Sequence, residues 1–353
     1  MPSRRPAPYA SDPNQAVVLS RRGLLTSAGA LAGAAAMGAC DPRGEEAPLD
    51  TGGTTAANGQ GADITPITPN EDFYVTTCCG SPVVDGAAWT LTILDRGAEL
   101  ATLDLATLDA LDPRDKEHTL ECIGANPYSQ KISNAVWTGL PLLEIFAALG
   151  ITVPTGVIQV KFTSTDGYTT AIPVTDLERP VWLVWRMNGV ELPSNHGYPA
   201  RLLIPGRYGM KNPKWIVAIE FIDEAYLGFW ESNGWSDDAT YQPNVYITWP
   251  ERDASLNAAP VRVVGTAFAG SDPVVRVEVT TDGGRSWADA VLDYAPGADI
   301  WVLWHHDWTP ETGSQTVQAR CTTASGVMSQ PTSDGTDTYA GYDGSMAVTV
   351  EVS

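Results

Sequence analysis

The sequence predicts an α+β chain in which a mixed α/β domain over residues 64–246 is followed by a β-sandwich over residues 247–353. Three observations lead there. From Ile64 to about Tyr246, runs rich in branched and aromatic residues accompany one convincing helical pattern. From about Ile247 the helical pattern is gone, and short strand-like runs alternate with turn residues. Neither a phosphate-cradling P-loop nor a Rossmann glycine fingerprint occurs, which argues against a nucleotide cofactor.

Trp89–Leu94 alternates as a half-buried strand should, with Gly97 in the turn beyond it. Leu140–Leu149 reads as a helix: Pro141 sits near its first turn, Leu142, Leu143, Phe146 and Leu149 form an apolar face, and Gly150 ends it. Val157–Phe162, Val181–Trp185 and Trp215–Phe221 read as further strands. In the second region Val261–Gly265, Val274–Thr280, Trp301–Trp304 and Thr316–Arg320 are strands, with a turn at Asp282-Gly283-Gly284. Tryptophans such as Trp301, Trp304 and Trp308 are read as inter-strand packing rather than sugar-binding platforms.

The N-terminus places twin arginines, Arg21 and Arg22, before a short Ala- and Gly-rich apolar run, a pattern that resembles a Tat export signal over residues 1–39. Met37-Gly38-Ala39-Cys40 resembles a lipobox, so a lipid anchor at Cys40 is expected, followed by a flexible tether over residues 40–63. The expected location is periplasmic or cell-surface. Without residues 1–39 the chain carries 17 basic and 41 acidic side chains, a net of −24. Such a charge repels phosphate backbones and excludes nucleic acid as a natural partner. It suits a basic electron carrier such as a cytochrome, although solubility alone accounts for it equally well.

Cys78, Cys79, Cys122 and Cys321 lie beyond the tether. Adjacent cysteines rarely bridge without strain, which disfavours a Cys78–Cys79 bond, but the sequence leaves the pairing of Cys78, Cys79 and Cys321 open. No zinc spacing and no haem-attachment motif is present among these cysteines.

Cys122 stands in Thr119-Leu-Glu-Cys-Ile-Gly-Ala-Asn126, shortly before Asn134-Ala-Val-Trp-Thr-Gly-Leu-Pro-Leu142. By itself a lone cysteine reads as inert core. Together with His196-Gly-Tyr-Pro-Ala-Arg201 and Pro205-Gly-Arg-Tyr-Gly209, however, this block resembles the sulfite oxidase family of molybdopterin enzymes. Arg276–Trp287 likewise resembles the immunoglobulin-like dimerisation domain that follows the catalytic domain in that family, so a homodimer is implied.

The resemblance implies a molybdenum-molybdopterin cofactor with Cys122 as the protein thiolate on the metal, a soft ligand suited to a sulfur-rich centre. His196, Arg201, Asn212 and Lys214 match the positions that hold the pterin and its phosphate, Asp166 falls at a pterin-contacting acid, and Tyr168 at an active-site tyrosine. Read singly, Arg201 and Lys214 are surface ion-pair residues, His196 a loop cap, Asp166 a turn former and Tyr168 a strand-end aromatic. The family's substrate-binding cations are replaced: Pro127-Tyr128 follows Asn126, and Tyr74-Val-Thr-Thr-Cys78 stands where Phe-x-Arg-Asn-His is common. Those losses weaken binding of a small dianion, unless Arg186 or Arg207 substitutes. The implied function is oxygen-atom transfer on a small sulfur-containing or other oxo substrate. True sulfite dehydrogenation and a cofactor-free surface binding protein stay open as alternatives.

Overall fold

In the computed structural model, which describes residues 64–330 and 339–353, the alternating run after Trp89 forms the strand Leu91–Asp95, with Leu91 and Ile93 fully buried. It pairs parallel with Ile216–Ile222 and antiparallel with Ala98–Leu103. Gln159–Ser164 and Thr169–Pro173 complete this five-stranded sheet. Leader, lipobox cysteine and tether, residues 1–63, lie outside the described residues.

The expected helix occupies Leu142–Ala148, because Pro141 closes the strand Ile132–Pro141 and caps the helix. Its buried residues are Leu142, Ile145 and Phe146, while Leu143 is 44% exposed. The expected face is corrected accordingly: at 100° per residue Ile145 lies on the same stripe as Leu142 and Phe146, and Leu143 falls off it. Phe146 packs edge-on to Phe221 at 5.6 Å, which ties the helix to the first sheet.

A second sheet runs Arg114–Glu121, Ile132–Pro141, Trp182–Met187 and Val190–Glu191, with Arg201–Leu203 also paired to Trp182–Met187. Its first strand, Arg114–Glu121, begins with charged residues and shows no clean apolar alternation. Three short α-helices occur among the described residues, so the expected α+β domain is realised as mostly β.

The C-terminal region is two sheets over one core. Asn244–Trp249, Val261–Phe268, Val302–Trp308 and Val291–Tyr294 form one; Ser255–Leu256, Ala347–Val352, Gly313–Thr323, Val274–Thr280 and Ala288–Asp289 form the other. Val263 and Trp304 of the first and Val277, Val317 and Val348 of the second meet in the interior. The first of these strands starts at Asn244, so a boundary at residues 246/247 cuts through it.

The sandwich holds the strand Arg114–Glu121 by alternate residues. Tyr294 donates to Glu117, Trp301 N donates to Thr119 Oγ1 at 2.9 Å, and Tyr246 Oη donates to Glu121 Oε1 at 2.9 Å. Residues i, i+2 and i+4 of a strand share one face, which is why this strand serves as the seam. Its last residue immediately precedes Cys122.

Candidate active site: a cavity behind Cys122

Cys122 leaves the seam strand at a hairpin. Its N–H donates to Lys131 O at 2.9 Å and its carbonyl accepts from Ala125 N at 2.9 Å, so the backbone is held on both sides. Asn126 shapes the loop by accepting from Tyr128 N and Ser129 N. The thiol is free and half-buried on the wall of a cavity of about 230 Å³. Burial pushes this thiol up from its ordinary value, and the Lys131 charge across the hairpin pulls against that rise.

The structure brings all the expected site residues to this cavity: Asp166, Tyr168, His196, Arg201, Asn212 and Lys214 line it with Cys122. Asp166 and Tyr168 come from the turn between Gln159–Ser164 and Thr169–Pro173. Asp166 Oδ1 accepts from Tyr168 N at 3.1 Å, and the Tyr168 hydroxyl donates to Met210 O at 2.5 Å. The turn-forming and site readings of Asp166 are therefore compatible. Burial raises the Asp166 carboxyl, and burial together with the Glu231 charge keeps the Tyr168 phenol protonated well above its usual range.

His196 ends the short helix Ser194–His196, followed by Gly197 at φ 115°. A Cβ there would come within 3.1 Å of both Arg201 Cβ and Lys214 Cβ. Glycine thus supplies both the left-handed turn and the close approach that gathers these three residues. His196 Nε2 pairs with Asn70 O at 2.8 Å, and its ring lies edge-on to Phe73. Burial lowers its pKa to about 4, so the ring is neutral at pH 7.

Arg201 donates to His196 O at 3.1 Å and Asn212 O at 3.2 Å, and its guanidinium lies 5.1 Å from the centre of the Trp137 ring. Lys214 donates to Asn195 O at 2.9 Å and sits over Trp215. Among the described residues neither cation has a carboxylate ion pair. Burial lowers Arg201 to about 10, and burial together with Arg201 lowers Lys214 to about 7. Asp166 on the same wall partly offsets the Lys214 charge, and two crowded, desolvated cations are further stabilised by an incoming anion.

Asn212 departs from its expected role. Its Oδ1 accepts from Ile204 N at 2.6 Å and its Nδ2 donates to Arg207 O and Tyr208 O, both at 2.9 Å. The amide is spent inside the protein, where it fixes the loop that carries Met210 and Lys214.

Three further expectations are corrected. Arg207 supplies no cation to the cavity, because it is buried between Asp176 and Asp238. Arg186 pairs with Asp109 away from the cavity. Cys78 and Cys79 are bonded to each other, in a segment belonging to no helix or strand, where no ladder hydrogen bonds hold the two side chains apart. Cys78 lines the cavity.

Lys131 was not singled out by its sequence context, yet it also lines the cavity. The signal lay in hairpin register: Glu121 pairs with Ile132, which sets Lys131 opposite Cys122. Trp230 and Trp235, packed edge-on at 5.9 Å, form another part of the wall that motif matching did not reveal.

Residues 79–230 match the model of the oxidoreductase molybdopterin binding domain, and residues 238–336 match that of the Mo-co oxidoreductase dimerisation domain. A sulfite oxidase of Gallus gallus is 28% identical over 296 residues, covering 70% of this chain and 64% of its own. The mitochondrial sulfite oxidase of Rattus norvegicus is 26% identical over 284 residues, covering 67% of this chain and 52% of its own. The chain thus spans less than two thirds of either relative. Among solved structures, the sulfane dehydrogenase SoxCD from Paracoccus pantotrophus shares the fold, with a TM-score of 0.72, 21% identity and 82% of each chain covered.

The cofactor implied by these matches is molybdopterin-bound molybdenum, and the cavity suits it. Cys122 offers a soft sulfur, and Arg201 and Lys214 offer charge to a phosphate. Arg201 Nε, buried in the same wall, finds no partner among the described residues, and an anionic guest would supply one. With these donors on one wall and both domain models matched in order, the chain belongs to the sulfite oxidase family of molybdopterin-dependent oxidoreductases.

Proposed function

We propose that the protein performs oxygen-atom transfer on a small sulfur-containing or other oxo substrate and exchanges electrons with an external redox protein. The observation that carries this reading is the free Cys122 thiol on one cavity wall with Tyr168, Arg201 and Lys214. The bound molybdenum-pterin group supplies two-electron oxygen-atom transfer chemistry. The chain's own residues bind and orient. Cys122 holds the metal as thiolate, and Arg201 and Lys214 hold the phosphate end. His196, neutral and fixed through Asn70, together with Asp166 borders the pterin. Tyr168 keeps its phenolic proton and orients an oxygen of the substrate by turning its O–H away from Met210 O; Trp230 and Trp235 exclude water.

Lys131 favours a second reading, true sulfite dehydrogenation. A cation beside Cys122 attracts a small anionic substrate despite the Pro127-Tyr128 replacement. Purified holoprotein assayed with sulfite and an electron-accepting dye, and separately with a neutral sulfoxide and a reduced dye, separates the two. Turnover of the sulfoxide alone supports the less charged pocket. Turnover of sulfite that collapses in Lys131→Met supports the dehydrogenase. Metal-loaded protein that turns over neither substrate refutes both.

The same reading takes residues 1–39 as a Tat-type leader, Cys40 as a lipid attachment point, residues 40–63 as a tether and the destination as periplasmic or cell-surface. The domains are read as 64–246, catalytic, and 247–353, immunoglobulin-like. The dimerisation-domain match supports a homodimer, and the net charge of −24 beyond the leader supports a basic electron carrier. Release of the protein from membranes by Cys40→Ala tests the anchor.

A further inference from the structure

We infer that the Cys78–Cys79 pair, once reduced, forms with Asp166 a site for a soft divalent cation on the wall of the cofactor cavity. The inference stands on side-chain placement alone and does not require the proposed turnover.

The sulfurs of Cys78 and Cys79 and a carboxylate oxygen of Asp166 lie within 4.8 Å of one another, and all three residues are half-buried. Cys78 and Asp166 line the cavity that also receives Cys122 and Tyr168. A tetrahedral ion with sulfur ligands at ~2.3 Å holds its ligand atoms roughly 3.5–3.8 Å apart, so the three donors need only small adjustments once the sulfurs separate. Two thiolates and a carboxylate match a borderline or soft dication such as zinc or cadmium, not magnesium or calcium.

A purely structural role explains the pair poorly. A disulfide stabilises a fold mainly by closing a loop in the unfolded chain, and adjacent residues close the shortest loop available. Nor does the neighbouring acid help a thiol-exchange role, because the Asp166 carboxylate repels an arriving thiolate and disfavours the leaving one. A cation removes both repulsions.

The redox step balances as follows. A phosphine delivers two electrons, the Sγ–Sγ bond breaks, and one water gives its two protons to the two thiols and its oxygen to the phosphine oxide; a dithiol supplies both electrons and both protons and becomes a disulfide. The cation then takes both sulfurs as thiolates and releases their two protons to solvent. In an oxidising compartment the pair stays bonded and the site is closed. Reduction opens it, and an ion there engages Asp166 on the wall of the cavity.

The test uses the full-length holoprotein. After treatment with a phosphine and its removal without air, thiols are counted and cadmium uptake is followed by equilibrium dialysis and by the sulfur-to-cadmium absorption band. The reduced protein should gain two thiols and bind one cadmium per chain, and the oxidised protein should bind none. Cys79→Ser should lower the affinity at least about 100-fold and Asp166→Asn about 10-fold. Cys122→Ser should retain the uptake, which separates this site from the resident metal's ligand. If Cys79→Ser fails to fold, Cys78→Ser takes its place. A pair that resists excess phosphine, reduced protein that binds no cadmium, or undiminished uptake by Cys79→Ser or Cys78→Ser would overturn the assignment.

Discussion

Glu121 and Cys122 are consecutive residues that serve different regions of the molecule. Strand alternation turns Glu121 into the sandwich, where Tyr246 donates to it at 2.9 Å and Asn244 at 3.0 Å. Cys122, one residue on, faces the cavity with its thiol free. One region is a polar seam in which Glu121 is held by protein donors. The other is a cavity wall on which cations and a free thiol face open space. The comparison teaches that stability and chemistry here are separated by a single peptide bond, so substitutions on its two sides should fail in different ways.

The largest effect should come from Cys122→Ser. Exchange of a soft sulfur for a hard oxygen should cut turnover by about 1000-fold or more and reduce bound molybdenum, while the denaturation midpoint moves little. Glu121→Ala should do the reverse. It leaves the Tyr246 hydroxyl buried without an acceptor, takes one of two acceptors from the Asn244 amide, and should cost about 3 kcal/mol in urea unfolding, with Cys122 still able to hold metal in the folded fraction.

Acid acts on both regions, because burial depresses His118 in the seam and His196 in the cavity alike. His118 is fully buried, neither ring nitrogen has a partner among the described residues, and burial lowers its pKa to about 4. Asp299 pulls that value up, while Lys116 and Arg201 press it down. Because the folded value lies below the unfolded one, near 6.5, the neutral ring's contribution is complete above pH 6.5 and is lost as pH falls towards 4. The His118 contribution to that loss should be on the order of 2 kcal/mol and should vanish in His118→Leu in urea titrations at successive pH values, while His196 adds to the loss and Glu121, raised by burial to about 8, opposes it.

Tyr168→Phe is smaller. It removes one hydrogen bond to Met210 O and should cost about 1 kcal/mol of stability, lowering turnover without changing molybdenum content. Arg186→Ala should do least: its exposed pairing with Asp109 lies off the cavity, so the substrate KM should not change, and stability should shift by no more than about 0.5 kcal/mol.

Most of the site was legible because it is local. Cys122, His196 to Arg201, and Asn212 to Lys214 sit in short motifs, and the structure gathers them. The strands were legible wherever burial on one face writes an alternating pattern, as in Leu91–Asp95 and Val274–Thr280. The seam strand was not, because a strand that buries polar residues against a second domain carries no apolar period; Glu117, Thr119 and Glu121 look like solvent-facing residues in the sequence. Lys131 was missed for a related reason, since it reaches Cys122 by hairpin register and not by motif. Asn212 was matched by position, but only the hydrogen bonds show that its amide works inward.

X-ray absorption at the molybdenum edge, on wild-type protein beside Cys122→Ser and Glu121→Gln, tests the central claim most directly. The account predicts one fewer sulfur around the metal in Cys122→Ser and an unchanged count in Glu121→Gln. An identical sulfur count in wild type and Cys122→Ser would contradict it.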